Sequence, residues 1–247
     1  MKVLGVIPAR YGSTRFPGKP LAMIGGKTMI RRTCEQVSKS SLDAFVVATD
    51  DLRILDEVRS FGCRAVMTRS DHPSGTDRCR EAFDLMEDDF DAVVNIQGDE
   101  PFIDPARINQ VAGLIRRDDT IIATLAEPIT SDDALENPNV VKVVFDTNGL
   151  ALYFSRHPIP FVRGVDRSQW LRKTTYYRHI GLYAYKAPAL RAITAMSQGR
   201  LEQAESLEQL RWLENGCPIR VGVTSPQPAI AIDTPQDLLS IPQEVLL

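Results

Sequence analysis

The 247-residue sequence has no apolar run that approaches the roughly 20 residues needed by a membrane-spanning helix. Its four cysteines, Cys34, Cys63, Cys79 and Cys217, lack the close spacing of a zinc or redox motif, so we expect reduced thiols in a cytosolic protein. The net charge is only −3 at pH 7, which argues against a broad basic surface for a nucleic-acid backbone. The short apolar run after Met1 does not fit a signal peptide. These absences predict a cytoplasmic protein that binds neither nucleic acid nor a membrane.

The first half of the chain has a regular alternating pattern. The composition, 43% hydrophobic and 25% charged, is that of an ordinary globular protein. Apolar runs alternate with helical patterns, which favours right-handed crossovers and a mostly parallel sheet covered by helices. The predicted strands are 2–8, 44–49, 64–67, 92–97 and 120–126, and the predicted helices lie near 27–39, 51–61, 76–88 and 105–117. The fold class is therefore predicted to be α/β, with a Rossmann-like layer.

The second half has a different, β-rich pattern. Two apolar runs, 140–145 and 150–155, flank a turn that contains Asn148-Gly149, which predicts a hairpin. The remaining predictions are a mobile loop at 158–175, a strand at 179–185, a helix at 200–214 and a strand at 219–224. We expect a single domain, 1–247, with an α/β core at 1–130 and 215–247 and a smaller β-rich insertion at 131–214.

The first predicted strand leads into a loop that is rich in glycine and positive charge. After Pro8 the sequence reads Ala9-Arg10-Tyr11-Gly12-Ser13-Thr14-Arg15-Phe16-Pro17-Gly18-Lys19-Pro20. Such a loop offers backbone N–H groups and cations to a polyphosphate, so we predict that Arg10, Arg15 and Lys19 bind a nucleotide. The alternative is a loop whose glycines and prolines only form turns, but turns alone do not need three cations.

The spacing in this loop excludes two better-known phosphate-binding motifs. A P-loop has four residues between its first glycine and the Gly-Lys pair, which Ser or Thr then follows. Here five residues separate Gly12 from Gly18, and Pro20 follows Lys19. No Gly-x-Gly-x-x-Gly fingerprint of a dinucleotide site follows the first strand. The loop is thus predicted to bind a nucleotide in neither of these two ways.

Two carboxylates also follow apolar runs. Asp99 lies in Gln97-Gly98-Asp99 after the strand predicted at 92–97, and Asp233 follows Ile230-Ala231-Ile232. Ligands of α/β sheets bind at the carboxyl ends of the strands, and Mg²⁺ prefers one or two carboxylates together with phosphate oxygens. We therefore predict a Mg²⁺ site at Asp99 and Asp233. Asp233 could instead be the N-cap of a helix that begins at Pro235.

Several segments together resemble one family. They are Pro8–Pro20, Val47–Asp50, Met67–His72, Ser74–Arg78, Gln97–Pro101, Ala151–Arg156 and Leu207–Arg211. These segments span nearly the whole chain and resemble the 3-deoxy-manno-octulosonate cytidylyltransferase (CMP-Kdo synthetase) family, with departures mainly in 160–175 and at Gly199-Arg200. The resemblance implies a three-layer α/β/α nucleotidyltransferase fold that joins CTP and 3-deoxy-D-manno-octulosonate (Kdo) into CMP-Kdo and pyrophosphate, with Mg²⁺, for lipopolysaccharide biosynthesis. It also implies a homodimer in which 131–214 binds the sugar and forms the dimer contact.

The resemblance implies roles for individual residues as well. Arg10, Arg15, Lys19 and Asp99 would be catalytic. The residues expected to bind the nucleotide are Pro8, Ala9, Arg10, Ser13, Arg15, Lys19, Ser74, Gly75, Arg78 and Gln97, and those expected to bind the sugar are Gln97, Arg156, His179, Tyr183 and Glu208. Simpler interpretations remain for three of them: Ser74 could cap a helix, His179 could be structural, and Glu208 could be a charge on a helix surface.

Other functions share part of this pattern. A cytidylyltransferase for sialate, for 8-amino-Kdo or for methylerythritol phosphate would use the same loop chemistry. A nucleotide-binding module without turnover is a different class, although a catalytic metal pair beside Lys19 argues against it. Pyrophosphate release from CTP in the presence of Kdo separates these possibilities.

Overall fold

The computed structural model describes residues 1–12, 16–227, 232 and 234–242. The chain forms two compact units. The first contains Met1–Ala112 and the described part of the segment from Pro228 to Leu247, and the second is Gly113–Gln227.

The first unit is built on a parallel sheet. Its strands are β1 (Val3–Ala9), β4 (Ala44–Thr49), β5 (Ala65–Met67) and β6 (Ala92–Asn95), and a short antiparallel pair is formed by β2 (Met23–Ile24) and β3 (Lys27–Thr28). The helices are α1 (Met29–Val37), α2 (Leu52–Ser60), α3 (Gly75–Asp84) and α4 (Pro105–Ile115), whose last residues pass into the second unit. The sheet order is β6-β1-β4-β5, and β1 pairs in parallel with both β4 and β6. The central strand is apolar throughout, because helices and strands enclose it on all sides.

Polar side chains fix the points at which three helices begin. Thr28 precedes α1 and accepts a hydrogen bond from the Arg31 N–H. Asp51 precedes α2 and accepts one from the Arg53 N–H. Ser74 caps α3. Each cap satisfies a backbone donor that the helix leaves without an internal partner, so the strand-to-helix turns are held in place. These turns supply much of the site described below.

The second unit is mainly antiparallel. Its strands are β7 (Ile122–Pro128), β8 (Lys142–Phe145), β9 (Ala151–Ser155), β10 (Tyr177–Lys186) and β11 (Arg220–Val223). Its helices are α5 (Asp132–Glu136), α6 (Trp170–Lys173), α7 (Ala187–Thr194), α8 (Arg200–Glu205) and α9 (Gln209–Glu214). Strand β10 pairs antiparallel with β7, which pairs in parallel with β11, and β8 forms a hairpin with β9.

Much of this architecture agrees with the prediction. The α/β class, the parallel sheet of the first half and the hairpin at 140–155 are confirmed. The second unit begins before 131 and ends after 214, because β7 and β11 pair with each other and β7 pairs with β10. Within the described residues, no helix is long and apolar enough to cross a membrane.

Two predictions for the second half are wrong. The segment 158–175 is not simply a loop, since it contains a short 3-10 helix followed by α6. Trp170 of α6 is buried and stacks on Tyr176 at a centroid distance of 6.2 Å, which anchors this segment. The helix predicted at 200–214 is two helices, because Ser206 adopts a left-handed conformation with φ 51° and ends α8.

Candidate active site

A pocket in the first unit lies where β1 and β6 end and α3 begins. Its lining residues are 8–10, 19–20, 29, 72–75, 78 and 97–99. All eight described residues that were predicted to bind nucleotide belong to this set, and so does Asp99. Ser13, Arg15 and Asp233, which complete the predicted catalytic, nucleotide and metal sets, lie outside the described residues. The structure therefore brings the two predicted turns, after β1 and after β6, into one site.

Lys19 and Asp99 form the charged centre of this pocket. Lys19 Nζ lies 2.7 Å from Asp99 Oδ2, and the side chains are 10% and 45% exposed respectively. The contact joins the loop after β1 to the turn after β6. Because the ammonium is nearly buried while the carboxylate is half-exposed, Asp99 holds Lys19 and still presents oxygen to the pocket.

The loop that carries Lys19 is closed by backbone and aromatic contacts. Gly18 has φ 71°, a conformation that favours glycine, and its N–H donates to the Tyr11 carbonyl at 2.9 Å. The Tyr11 ring is covered by Arg53, whose guanidinium carbon lies 3.4 Å from the ring centroid. Asp51 accepts two hydrogen bonds from the Arg53 side chain, at 2.9 and 2.7 Å. The Tyr11 end of the loop is therefore fixed to the start of α2, and the Gly18 end is bonded to Tyr11.

Gly98 allows the turn after β6 to approach β1. A Cβ atom at this position would lie 2.7 Å from the Pro8 carbonyl oxygen, closer than a side chain can be accommodated. The Gly98 carbonyl accepts a hydrogen bond from Thr33 Oγ1 at 3.3 Å. The pocket wall thus depends on direct contact between backbones, which only glycine permits.

The start of α3 forms another wall. Ser74 Oγ accepts a hydrogen bond from the Asp77 N–H at 3.2 Å and donates to Asp77 Oδ2 at 2.6 Å. Helix capping is therefore what the structure shows for Ser74, as the simpler interpretation proposed. The N–H groups of the first turn point out of this end of the helix and give it a partial positive charge, which suits an anion.

Arg78 lines the pocket but is part of a buried network. Its side chain is 5% exposed and donates to Asp50 Oδ2 at 2.9 Å and to Thr68 Oγ1 at 2.6 Å. The carboxylate compensates the buried guanidinium charge, which would otherwise be costly. Through these contacts, Arg78 stabilises the pocket wall.

His72 also lines the pocket, although the sequence analysis predicts no role for it. Its Nε2 contacts Glu81 Oε2, which also accepts a hydrogen bond from the Arg69 N–H at 2.9 Å. Burial raises the pKa of Glu81, but the hydrogen bonds from His72 and Arg69 outweigh it and hold the pKa below its usual value. In the sequence, the one indication of this role is that His72 lies two residues before Ser74. Its partner, Glu81, lies nine residues further along the chain, inside α3.

In the second unit, three of the predicted sugar-binding residues lie near one another. The His179 and Tyr183 rings are 5.2 Å apart, and Thr124 Oγ1 lies 3.0 Å from His179 Nε2. Burial lowers the pKa of His179 to about 3, so the ring is neutral near physiological pH. Burial and the nearby Glu208 carboxylate raise the pKa of Tyr183 well above its usual value.

The Tyr183 hydroxyl is buried and lies near Thr124, but within the described part of the chain it makes no well-formed hydrogen bond. Such a group normally finds a partner, because a buried and unsatisfied polar atom costs free energy. A hydroxyl next to a neutral imidazole and a carboxylate suits a polyhydroxylated ligand, whose groups both donate and accept.

Arg156 has a different environment from these residues. Its guanidinium donates to three backbone carbonyls, those of Glu205 at 2.6 Å, Pro138 at 3.0 Å and Ser206 at 3.2 Å. These bonds tie the end of β9 to the break between α8 and α9. In this structure the Arg156 side chain therefore holds backbone, and it would have to exchange some of these carbonyls to meet a carboxylate.

The described residues contain no group of three or more His, Cys, Asp or Glu side chains that could hold a metal ion. Mg²⁺ bound to a nucleotide does not require such a group, because phosphate oxygens and water fill most of its coordination sphere. Asp99 fits this mode of binding, since its carboxylate is half-exposed within the pocket.

Comparisons with known proteins agree on one relationship. Residues 4–221 match the family model described as cytidylyltransferase. The chain is 58% identical to the 3-deoxy-manno-octulosonate cytidylyltransferase of Bacteroides thetaiotaomicron, with 96% of each chain covered. It is 54% identical to the enzyme of the same name from Parabacteroides distasonis, again with 96% of each covered.

Solved structures extend the comparison to the fold. A CMP:2-keto-3-deoxy-manno-octonic acid synthetase in complex with CTP is 42% identical and superposes with a TM-score of 0.89, with 97% of this chain and 96% of that chain covered. A nucleotidyl transferase from Methanothermobacter thermautotroptrophicus is only 16% identical but has a TM-score of 0.62, with 99% and 98% covered. This second likeness concerns the fold alone.

Proposed function

The chain belongs to the 3-deoxy-manno-octulosonate cytidylyltransferase family, and from this premise we propose that it transfers CMP from CTP to the anomeric hydroxyl of Kdo, releasing pyrophosphate. The observation that carries the proposal is the pocket in which Lys19 and Asp99 meet, lined by all the described residues predicted to bind nucleotide. The similarity to a synthetase solved with CTP supports the choice of nucleotide. The product would serve lipopolysaccharide biosynthesis.

The pocket offers three kinds of positive partner to a triphosphate. Arg10 is exposed at the end of β1, and its planar guanidinium suits two parallel contacts to phosphate oxygens. Lys19 supplies a point charge that Asp99 holds in position. The N-terminus of α3 adds backbone donors. Arg15 would contribute a further cation.

The proposed reaction needs no covalent enzyme intermediate. The anomeric hydroxyl of Kdo loses its proton to solvent as its oxygen forms a bond to the α-phosphorus of CTP. The bond from that phosphorus to the bridging oxygen of the β-phosphate breaks, and pyrophosphate leaves. Negative charge that collects on the leaving group is offset by Arg10, Arg15 and Lys19, so catalysis consists of positioning and charge stabilisation. Asp99, with Asp233 as a second carboxylate, would hold Mg²⁺. The ion, when bound, would stabilise charge on the phosphates and lower the pKa of the attacking hydroxyl.

The second unit supplies groups that suit the sugar. Neutral His179 and the Tyr183 hydroxyl can each donate or accept a hydrogen bond, and Glu208 can accept from a sugar hydroxyl. Arg156 is a candidate partner for the Kdo carboxylate, provided that it releases at least one of its three carbonyls. Gln97 lines the nucleotide pocket and is proposed to contact both substrates.

Pyrophosphate release tests the proposal directly. The wild-type protein with Mg²⁺ should release pyrophosphate from CTP and Kdo, and much less when ATP, GTP or UTP replaces CTP. Asp99→Asn and Lys19→Met should each lower kcat by about two orders of magnitude or more, because each removes a charge from the reacting centre. Asp71→Asn is the matched control, since Asp71 forms an exposed ion pair with Arg69 that does not line the pocket.

The other outcomes separate the remaining functions. Release with N-acetylneuraminate or 8-amino-Kdo in preference to Kdo would keep the chemistry and change the sugar. Binding of CTP without pyrophosphate release from any sugar acid would overturn the proposal in favour of a nucleotide-binding module. Equal activity of the wild type and Asp99→Asn would remove the proposed metal site.

The proposal includes a homodimer formed through the second unit. Leu152 and Phe161 are 63% and 73% exposed, so both side chains are available to a partner surface. Sedimentation equilibrium at micromolar concentration should give twice the chain mass, and the Leu152→Asp variant should shift the protein towards monomer. A wild-type monomer would exclude this part. A cytoplasmic location is also proposed, supported by four free thiols, and fractionation of cells should recover the activity there.

A further inference from the structure

Two contacts connect the α1 segment of the first unit with the α2 segment. At the start of α1, Thr28 Oγ1 donates to Glu57 Oε1 at 2.8 Å. One turn later, the Arg31 guanidinium carbon lies 5.5 Å from the centroid of the Phe61 ring. From the first contact to the second, the residue number rises in both segments, so the two segments run in the same direction. The next turn of α1 therefore carries Cys34 towards the residues that follow Phe61.

Cys63 is held at that place by the end of α2. Gly62 has φ 82° and its N–H donates to the Arg59 carbonyl at 3.0 Å, while the Cys63 N–H donates to the Val58 carbonyl at 3.2 Å. This pair of bonds is a Schellman motif, which terminates a helix and fixes the next residue. The Cys34 and Cys63 thiols lie close enough for each to shift the pKa of the other. The two sulfurs are thus placed together by the backbone.

The two thiols have unequal environments. Cys34 is 1% exposed, whereas Cys63 is partly exposed. The hydrogen bond from Cys34 lowers the pKa of Cys63 to about 7, and the charge of Arg31 acts in the same direction. The same hydrogen bond and burial raise the pKa of Cys34. The pair thus joins an accessible thiol to a buried one, the arrangement in which one sulfur reacts and the other resolves.

We propose that Cys34 and Cys63 form an oxidisable thiol pair, which a peroxide converts into a reversible disulfide between α1 and the end of α2. The Cys63 thiolate attacks one oxygen of hydrogen peroxide, the O–O bond breaks, and with one proton the products are the Cys63 sulfenic acid and water. The Cys34 sulfur then attacks the Cys63 sulfur, displacing hydroxide that takes up the Cys34 proton and leaves as water. In total, two thiols and one peroxide give one disulfide and two waters. This modification site is independent of the proposed transfer reaction.

Peptide mapping of the full-length wild-type protein tests the site. The reduced protein is treated with one equivalent of hydrogen peroxide, remaining thiols are alkylated, and the protein is digested without reductant. Mass spectrometry should find the Cys34 and Cys63 peptides linked, and dithiothreitol should separate them. In Cys34→Ser, dimedone should instead trap a sulfenic acid on Cys63, because no second thiol resolves it. The wild-type mapping decides the question even if that variant folds poorly.

Cys217 provides the matched control. Cys217 is also partly exposed, but burial raises the pKa of its thiol, and no other cysteine contributes to that shift. At neutral pH iodoacetamide should label Cys63 several times faster than Cys217, and Cys217→Ser should still form the disulfide. The proposal is overturned if both cysteines are labelled at the same rate. It is equally overturned if peroxide produces Cys63 sulfinic acid while Cys34 remains a free thiol.

Discussion

Replacing Asp50 with asparagine should lower the melting temperature of the protein by a large amount. Asp50 is the charged partner of Arg78, whose side chain is 5% exposed and lies 2.9 Å away. Removing one partner of a buried ion pair leaves an uncompensated charge and typically costs about 3–5 kcal/mol. The Asp50 side chain is 14% exposed and an amide oxygen can still accept a hydrogen bond, so we expect the low end, about 3 kcal/mol. At roughly 2–4 °C per kcal/mol for a chain of this size, the melting temperature should fall by about 6–12 °C.

Thermal denaturation followed by circular dichroism measures this effect. Arg78→Met should also be destabilising, and the double variant should lose less stability than the sum of the two single variants, because the second substitution removes the uncompensated charge. Asp71→Asn is the control: its ion pair with Arg69 is exposed, with side chains 63% and 70% accessible, and its melting temperature should match that of the wild type.

The same variants separate a structural from a binding role for Arg78. If Arg78 only supports the pocket wall, Asp50→Asn should retain a wild-type KM for CTP at temperatures where it is folded. A melting temperature within about 2 °C of the wild type would refute the reasoning from burial. A raised KM for CTP in Arg78→Lys with an unchanged melting temperature would show instead that the guanidinium contacts the nucleotide.

Three further predictions concern both units. Gly98→Ala should raise the KM for CTP about tenfold or more, because the new Cβ would lie 2.7 Å from the Pro8 carbonyl oxygen. Gly113→Ala is the control: a Cβ at this helical position meets open space, so the variant should be neutral or stabilised by about 0.5–1 kcal/mol. Equal kinetics for the two variants would contradict the prediction. Tyr183→Phe should raise the KM for Kdo without lowering the melting temperature, because the hydroxyl it removes makes no well-formed hydrogen bond in the described structure. A loss of stability would show that its contact with Thr124 is a stabilising hydrogen bond. The pKa of His179 is lowered to about 3, so as the pH falls the unfolded chain takes up this proton before the folded protein does. The stability that neutral His179 contributes is therefore fully present above about pH 6.5 and is lost towards pH 3. The free energy of unfolding, measured with urea, should fall less steeply with decreasing pH in His179→Gln than in the wild type, and parallel curves would argue against the lowered pKa.

The parts of the fold that the sequence predicted are those encoded by neighbouring residues. An apolar strand, a capped helix and an Asn-Gly turn each depend on a few adjacent positions, so β4 at Ala44–Thr49 and the hairpin around Asn148 were found close to their observed ends. The break at Ser206 was not predicted, because serine rarely adopts a left-handed conformation and nothing in its neighbours marks one. Helix α6 was missed for a related reason: its anchor, Trp170, is buried against residues that lie elsewhere in the chain.

Site residues were predictable as a set but not in their separate roles. A resemblance in the segment Ser74–Arg78 indicates that it borders a nucleotide, and the structure places it in the pocket wall. It could not indicate that Ser74 caps α3 or that Arg78 pairs with Asp50, since the second contact joins residues 28 positions apart. Partners at such distances are determined by the folded topology rather than by the local pattern.

The pocket residues differ in how far their polar groups are already bonded within the protein, and this difference affects the affinity for a nucleotide. Ser74 and Arg78 already have their hydrogen bonds within the protein, so a nucleotide can gain from them only by breaking existing contacts. Arg10 is exposed, so it offers charge before any ligand arrives, whereas Lys19 is already bonded to the half-exposed Asp99 carboxylate. Binding energy is available where a group is positioned but not consumed by the fold. Affinity for the triphosphate should therefore depend on the loop after β1 more than on the start of α3, although both carry the same family resemblance.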